Sequence, residues 1–262
     1  MRSVLKKFLL SAPLALLIAC GNNNNANSST AKPSYTHKPY NPTELLKYNP
    51  KNADKRVDEF FKKLHQKSGF NGNILVARHG KIIYENALGW ANHLTRDSLK
   101  INSQFQLASV TKTMTSTAIL QLLERGKIKL NQDVKEFFPN FPYDGVTIKL
   151  LLTHRSGMMN YVYFIDDIYR KQHLNQRKGL TNTEAMNMIA EYKPAPFNKP
   201  DKRFLYNNSN YMVLGSIIEK VTGQTYADYM KENIFKPAGM THTAVYSKAV
   251  YDKIPVDVVG HD

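Results

Sequence analysis

From residue 110 onward, every periodic stretch of this chain has the period of a helix. Apolar residues recur at helical spacing from Val110 through Met114, Ala118, Ile119, Leu122 and Leu123, and Gly126 ends the pattern. Helical stretches follow over roughly 132–138, 148–154, 183–192, 209–221 and 226–235, separated by Gly, Pro and Asn. Strand patterns come earlier, at 73–78 and 81–87, with His79-Gly80 between them as a tight-turn signal. An amphipathic helix precedes them, with Val57, Phe60, Phe61 and Leu64 on one face and Lys62, Lys63 and Lys67 on the other, and Gly69 and Gly72 stop it. Two strands alone are marginal in water, so the hairpin needs sheet partners, and no downstream run is strong enough to supply them. The order is therefore helix, hairpin and an inserted helical subdomain. No internal repeat is present.

The first 52 residues cannot contribute to that core. Arg2, Lys6 and Lys7 form a basic segment, and Phe8 to Ala19 is an apolar run interrupted by Ser11 and Pro13. The run is short for a bilayer span and is flanked as a signal peptide is. Leu17-Ile18-Ala19-Cys20-Gly21 resembles a bacterial lipobox, which implies cleavage before Cys20 and lipidation of its thiol. The plainer alternative is an ordinary secretory peptide with an incidental cysteine. Cys20 is the single cysteine, so an intrachain disulfide is impossible. Asn22 to Asn25, Ser28-Ser29-Thr30 and Pro33, Pro39, Pro42 and Pro50 follow, a polar stretch that cannot bury enough apolar surface to fold. The expected layout is a signal peptide over 1–19, a lipid-anchored tether over 20–52 and a folded domain over 53–262, held at a membrane in the cell envelope.

A hydrophobic share of 42% supports a sizeable core. Lys and Arg total 36 against 21 Asp and Glu, a formal charge of +15. That balance suits cell-wall polymers, lipid headgroups or nucleic acid, or simply a solvated basic surface. Nucleic acid is not expected, because the chain has neither zinc-ligand spacing nor an RNA-binding aromatic signature. His65, His79 and His93 lack metal-ligand partners at helical or turn spacing, so no zinc site and no cofactor are expected.

Ser109 and Lys112 stand three residues apart at the start of a helix, which places both side chains on one face about one turn apart. A serine hydroxyl is a poor nucleophile until a base takes its proton, and an unprotonated lysine can be that base. The helix start also offers backbone N–H dipoles beside the serine. Ser-x-x-Lys alone is weak evidence: Ser3 and Lys6 make the same pattern in the signal segment, and a serine before a helix is often only a cap.

The context is more specific. Residues 105–130, FQLASVTKTMTSTAILQLLERGKIKL, resemble the Ser-x-x-Lys region of class C β-lactamases and their penicillin-binding-protein and esterase relatives. Residues 151–158, LLTHRSGM, look like the next segment of that family, and Tyr206-Asn207-Asn208 looks like its Tyr-x-Asn motif. Leu214-Gly215, Val221-Thr222-Gly223 and Pro237-Ala238-Gly239-Met240 continue in order, so the resemblance covers roughly residues 55–245. It implies an α+β fold of the β-lactamase/transpeptidase type, an antiparallel sheet flanked by helices. It also implies that Ser109 forms an acyl-enzyme, that Lys112 is or tunes the base, that Tyr206 relays the proton and that Asn208 holds Lys112 and the substrate amide. A tyrosine beside a lysine has a lowered pKa, which suits the relay. Tyr84-Glu85-Asn86 shares the Tyr-x-Asn spacing but lies in a strand before the serine. His154 falls in a segment that is usually structural in the family, so a Ser-His pair is not expected.

The chain departs from the family pattern in two places. The family's third motif, Lys-Thr-Gly or His-x-Gly on a late strand, has no match after Asn208, and Lys67-Ser68-Gly69 fits its letters in the wrong place. The chain thus reads as truncated at its C-terminus, or as a fragment of a longer sequence, without its last strands, and, if complete, as inactive or poorly folded by itself. Pro200-Asp201 stands where the family commonly has Pro-Gly, a change to a turn rather than to the chemistry. Two functions follow. One is a serine hydrolase of the cell envelope acting on a β-lactam, a D-Ala-type or peptidoglycan-derived peptide, or a small ester or amide. The other is a catalytically impaired lipoprotein that binds penicillin or muropeptides.

Overall fold

The computed structural model describes residues 53–171, 180–246 and 258. The signal segment, Cys20 and the tether expected from the sequence lie outside the described residues.

The domain opens with helix α1 (Ala53–Ser68), which ends where Gly69 turns at a φ of 67°. Strands β1 (Gly72–Arg78) and β2 (Lys81–Leu88) pair antiparallel, with a register shift between Val76 and Ala77. His79 and Gly80 both take positive φ, 50° and 74°, the backbone that a two-residue hairpin turn demands. Helix α1 lies on β2, with Phe61 stacked parallel to Tyr84 at 6.2 Å. The Tyr84 hydroxyl donates to Asp58 at 3.0 Å and accepts from the Asn86 amide at 2.9 Å. The second Tyr-x-Asn pair of the chain therefore fastens α1 to the hairpin. Strands β3 (Trp90–Asn92) and β4 (Asp97–Ser98), too short to show an alternating pattern, form a second two-stranded pair. Leu75 and Ile82 are exposed, and among the described residues no strand follows Ser98.

The helical body contains α2 (Thr111–Glu124), α3 (Ile148–Leu152), α4 (Tyr161–Lys171), α5 (Asn182–Tyr192), α6 (Asn208–Thr222) and α7 (Tyr226–Met230). Helix α6 is its axis and touches the other five. Its Val213, Leu214, Ile217 and Ile218 are fully buried against a core that includes Ala118, Ile119 and Leu122 of α2 and Leu151 of α3. Burying each such side chain contributes about 1.5–3 kcal/mol. Capping explains several boundaries. Thr181 and Glu184 form a reciprocal capping box at the start of α5, and Gly223 ends α6 with a φ of 70°.

Four sequence expectations change. The stretch 132–138 is not a helix but a single 3-10 turn at Val134–Glu136. Its backbone is diverted: the Val134 N–H donates to the Val146 carbonyl and the Ile148 N–H to that of Gln132. Helix α4 has no counterpart among the expected helices, and α3 stops at Leu152 rather than 154. Met230 passes into a π-helical turn at Lys231–Phe235 instead of continuing as α-helix.

Candidate active site

The serine is presented by a strained step just before α2. Ala108 takes a φ of 44°, the left-handed region that a residue with a Cβ seldom adopts, and opens a 3-10 turn through Val110. This step leaves Ser109 exposed, while Lys112 sits within the first turn of α2. The Lys112 ammonium donates to Ser109 Oγ at 3.2 Å and to Asn208 Oδ1, on the first residue of α6, at 2.8 Å. Tyr206 arrives from the extended segment before α6, and its Oη lies 2.5 Å from Ser109 Oγ. The Lys112 Nζ stands 5.0 Å from the centre of the Tyr206 ring and 5.6 Å from that of Tyr211. The four side chains singled out in the sequence thus share one hydrogen-bonded cluster, although Ser109 and Lys112 are about 100 residues from Tyr206 and Asn208. The nearby Lys112 ammonium, followed by the Ser109 hydroxyl, holds the Tyr206 phenol below the usual tyrosine range. Proximity to a cation stabilises the phenolate, and the phenolate is the form able to take a proton from serine.

A second layer fixes the segment that carries Tyr206. His154 is buried, with a φ of 55°, and its carbonyl accepts the Leu205 N–H at 2.8 Å. Its ring lies 4.6 Å from that of Tyr206 and 5.1 Å from that of Tyr211. The Asn207 side chain donates to the Met158 carbonyl at 2.6 Å and caps α6 by accepting the Ser209 N–H at 2.8 Å. Ser209, fully buried, accepts the Tyr161 N–H at 2.6 Å and donates to the Met159 carbonyl at 2.7 Å. The segment that begins LLTHRSGM is therefore zipped along its length to the Tyr-x-Asn segment.

Asp201 adopts a φ of 61°, the conformation a glycine would take without strain. Its carboxylate and carbonyl accept from the Arg155 guanidinium at 2.5 and 2.6 Å, and its N–H donates to the Arg155 carbonyl at 2.8 Å. The departure from Pro-Gly thus fastens the turn as well as altering it. Asp201→Gly removes the ion pair and the strain together. Because the pair is exposed, the two terms nearly offset, and a stability change within about 1 kcal/mol is expected in a urea titration.

Beside Lys112 and Asn208 opens a cavity of about 240 Å³, lined also by Thr115, Tyr161, Asn182 and Tyr226. The Thr115 and Tyr226 hydroxyls meet there at 2.6 Å. Neither these lining residues nor the strain at Ala108 leaves a periodic or motif signal, so neither is visible in the sequence. Among the described residues no three His, Cys, Asp or Glu side chains gather as metal ligands.

The family model described as "Beta-lactamase" matches residues 57–254. The chain is 36% identical over 197 residues to penicillin-binding protein 4* of Bacillus subtilis, covering 75% of this chain and 43% of that protein. It is 30% identical over 265 residues to the putative penicillin-binding protein PbpX of the same organism, covering 97% of this chain and 63% of the other. The crystal structure of FmtA from Staphylococcus aureus superposes with a TM-score of 0.64 at 28% identity, over 79% of this chain and 54% of that one. The chain thus spans about half of the length of these relatives. Matched over most of its length by the family model and by two penicillin-binding relatives, the chain belongs to the β-lactamase family and has its α+β fold.

Proposed function

We propose that this chain carries the nucleophile and proton-relay half of a serine acyl-transfer site. The observation that supports this best is the double contact of Ser109 Oγ, 2.5 Å from Tyr206 Oη and 3.2 Å from Lys112 Nζ. Ser109 Oγ attacks the acyl carbonyl and its proton passes to Tyr206, whose phenolate form the Lys112 ammonium favours. Tyr206 then gives that proton to the leaving nitrogen or oxygen as the scissile bond breaks, leaving an ester on Ser109. Water regenerates the serine by the reverse relay. Asn208 holds Lys112 in place. The substrates proposed are a β-lactam, a D-Ala-type peptide or a small ester or amide, met in the cell envelope by a protein anchored through a lipidated Cys20.

Intact-mass and peptide mass spectrometry after exposure to a fluorescent penicillin or a fluorophosphonate tests the reading. A single adduct on Ser109, absent from Ser109→Ala, is expected. An adduct that forms equally well in Ser109→Ala would refute the assignment of the nucleophile. A penicilloyl adduct on Ser109 with no turnover of any ester, amide or D-Ala-type peptide would instead favour the second function, a penicillin- or muropeptide-binding protein.

A further inference from the structure

The buried ring of His154 has one nitrogen whose protonation state the surrounding donors dictate. The backbone N–H of Asn207, which can only donate, points to His154 Nδ1 at 3.2 Å. The Asn210 amide Nδ2 lies 3.0 Å from the same atom. Its orientation follows from the Asn207 N–H, which makes Nδ1 an acceptor, so the amide turns its NH₂ group toward the ring and its Oδ1 toward Ser156 Oγ. Ser156 Oγ accepts the Met158 N–H at 3.3 Å and gives its own proton to Asn210 Oδ1 at 2.5 Å, which agrees with that orientation. Two donors converge on Nδ1, so that atom bears a lone pair and the ring's proton sits on Nε2.

Resting on the acyl-transfer reading above, we infer that His154 is a positioning residue whose Nδ1 lone pair anchors the backbone of Asn207, and with it the two side chains that flank it, Tyr206 toward Ser109 and Asn208 toward Lys112. The groups facing the ring are the Lys112 ammonium from α2, the phenol of Tyr206 from the extended segment, the phenol of Tyr211 from α6 and the apolar ring of Phe204. Burial, and then the Lys112 charge, hold the His154 pKa below its ordinary value. Both causes oppose a proton that would also collide with the two N–H donors. The unfolded chain binds that proton more readily, so His154 destabilises the fold as pH falls from about 6.5 through the lowered folded value.

The test compares variants by where each keeps an acceptor. His154→Asn puts its Oδ1 near the lost Nδ1, whereas His154→Gln reaches the Nε2 position and His154→Phe has no acceptor. Acylation of Ser109 by the fluorescent penicillin is expected to stay within about tenfold of wild type in His154→Asn and to fall about 100-fold in the other two. Hydrogen exchange of the Asn207 amide is expected to follow the same order, slow in wild type and His154→Asn and about 100-fold faster in His154→Phe. In long-range nitrogen NMR, His154 is expected to show the Nε2–H tautomer. Folded His154→Phe with wild-type acylation and Asn207 protection overturns the inference, and so does His154→Asn failing as badly as His154→Gln. If the wild type resists every acyl probe, the acyl-transfer reading fails, while the amide exchange and the tautomer still decide the role of His154.

Discussion

Lys112→Met is expected to lower acylation of Ser109 by about a thousandfold, within the range seen when a general acid–base group is removed. The substitution keeps the length of the side chain along α2 but deletes the ammonium that binds Ser109 Oγ and Asn208 Oδ1. It also removes the first cause of the low Tyr206 pKa. The phenolate then forms only at higher pH, so the rising limb of the acylation profile should shift toward alkali as well as drop. Rates measured from pH 6 to about pH 10 would separate the two effects, since tyrosine ordinarily ionises near pH 10. A variant that loses rate at every pH with no shift of the limb would show that Tyr206 does not depend on Lys112. Stability should change little, because Lys112 lies at the edge of the apolar core rather than in it.

Gly157→Ala is expected to be highly damaging for a change of one methyl group. Gly157 has a φ of 74°, and a Cβ placed there would lie 2.1 Å from the Asn198 carbonyl oxygen. The obstacle is backbone, so no rotamer change relieves it. The same Asn198 donates its N–H to the Gly157 carbonyl at 3.1 Å, so the two stretches of chain cannot separate without losing that bond. Left-handed strain of about 1–2 kcal/mol, added to the displacement, gives an expected loss of about 3 kcal/mol or more, which corresponds to a Tm lower by about 6–12 °C. Gly126→Ala is the matched control. Its φ is 67°, but a Cβ there would meet nothing within 4 Å, so only the strain term should appear. Equal melting temperatures for the two variants would show that the Asn198 contact contributes nothing. Because Gly157 lies in the loop zipped to Tyr206-Asn207-Asn208, its variant should also acylate more slowly at temperatures where it remains folded.

Much of the site is legible in the sequence because its signals are local. The pairing of Ser109 with Lys112 follows from helical spacing, and the hairpin turn at His79-Gly80 from the backbone that such a turn needs. Tyr206 and Asn208 are legible only through the family resemblance, since nothing in a periodic pattern says that residues about 100 positions apart will meet. The stretch 132–138 shows the opposite case. Its apolar spacing is helical, but Asp133 caps a single turn and the neighbouring backbone bonds to Val146 and Ile148, and those tertiary partners outweigh a propensity worth a few tenths of a kcal/mol per residue.

The sequence by itself determined the order of helix, hairpin and helical body, the serine–lysine pair on one turn, and the chemistry available to them, because these depend on spacing, turn conformation and side-chain type. Only the tertiary structure decided that Ala108 would be strained to present Ser109, that His154 would turn a lone pair toward Asn207, and that Tyr84-Glu85-Asn86 would bind Asp58 while Tyr206-Asn207-Asn208 reached the nucleophile. The physical reason is shared. These features depend on residues far apart in the chain that only packing brings together, α1 on β2 for the first Tyr-x-Asn pair and α6 on α2 and α3 for the second, and that packing is recorded in the fold as a whole rather than in any one stretch of the chain.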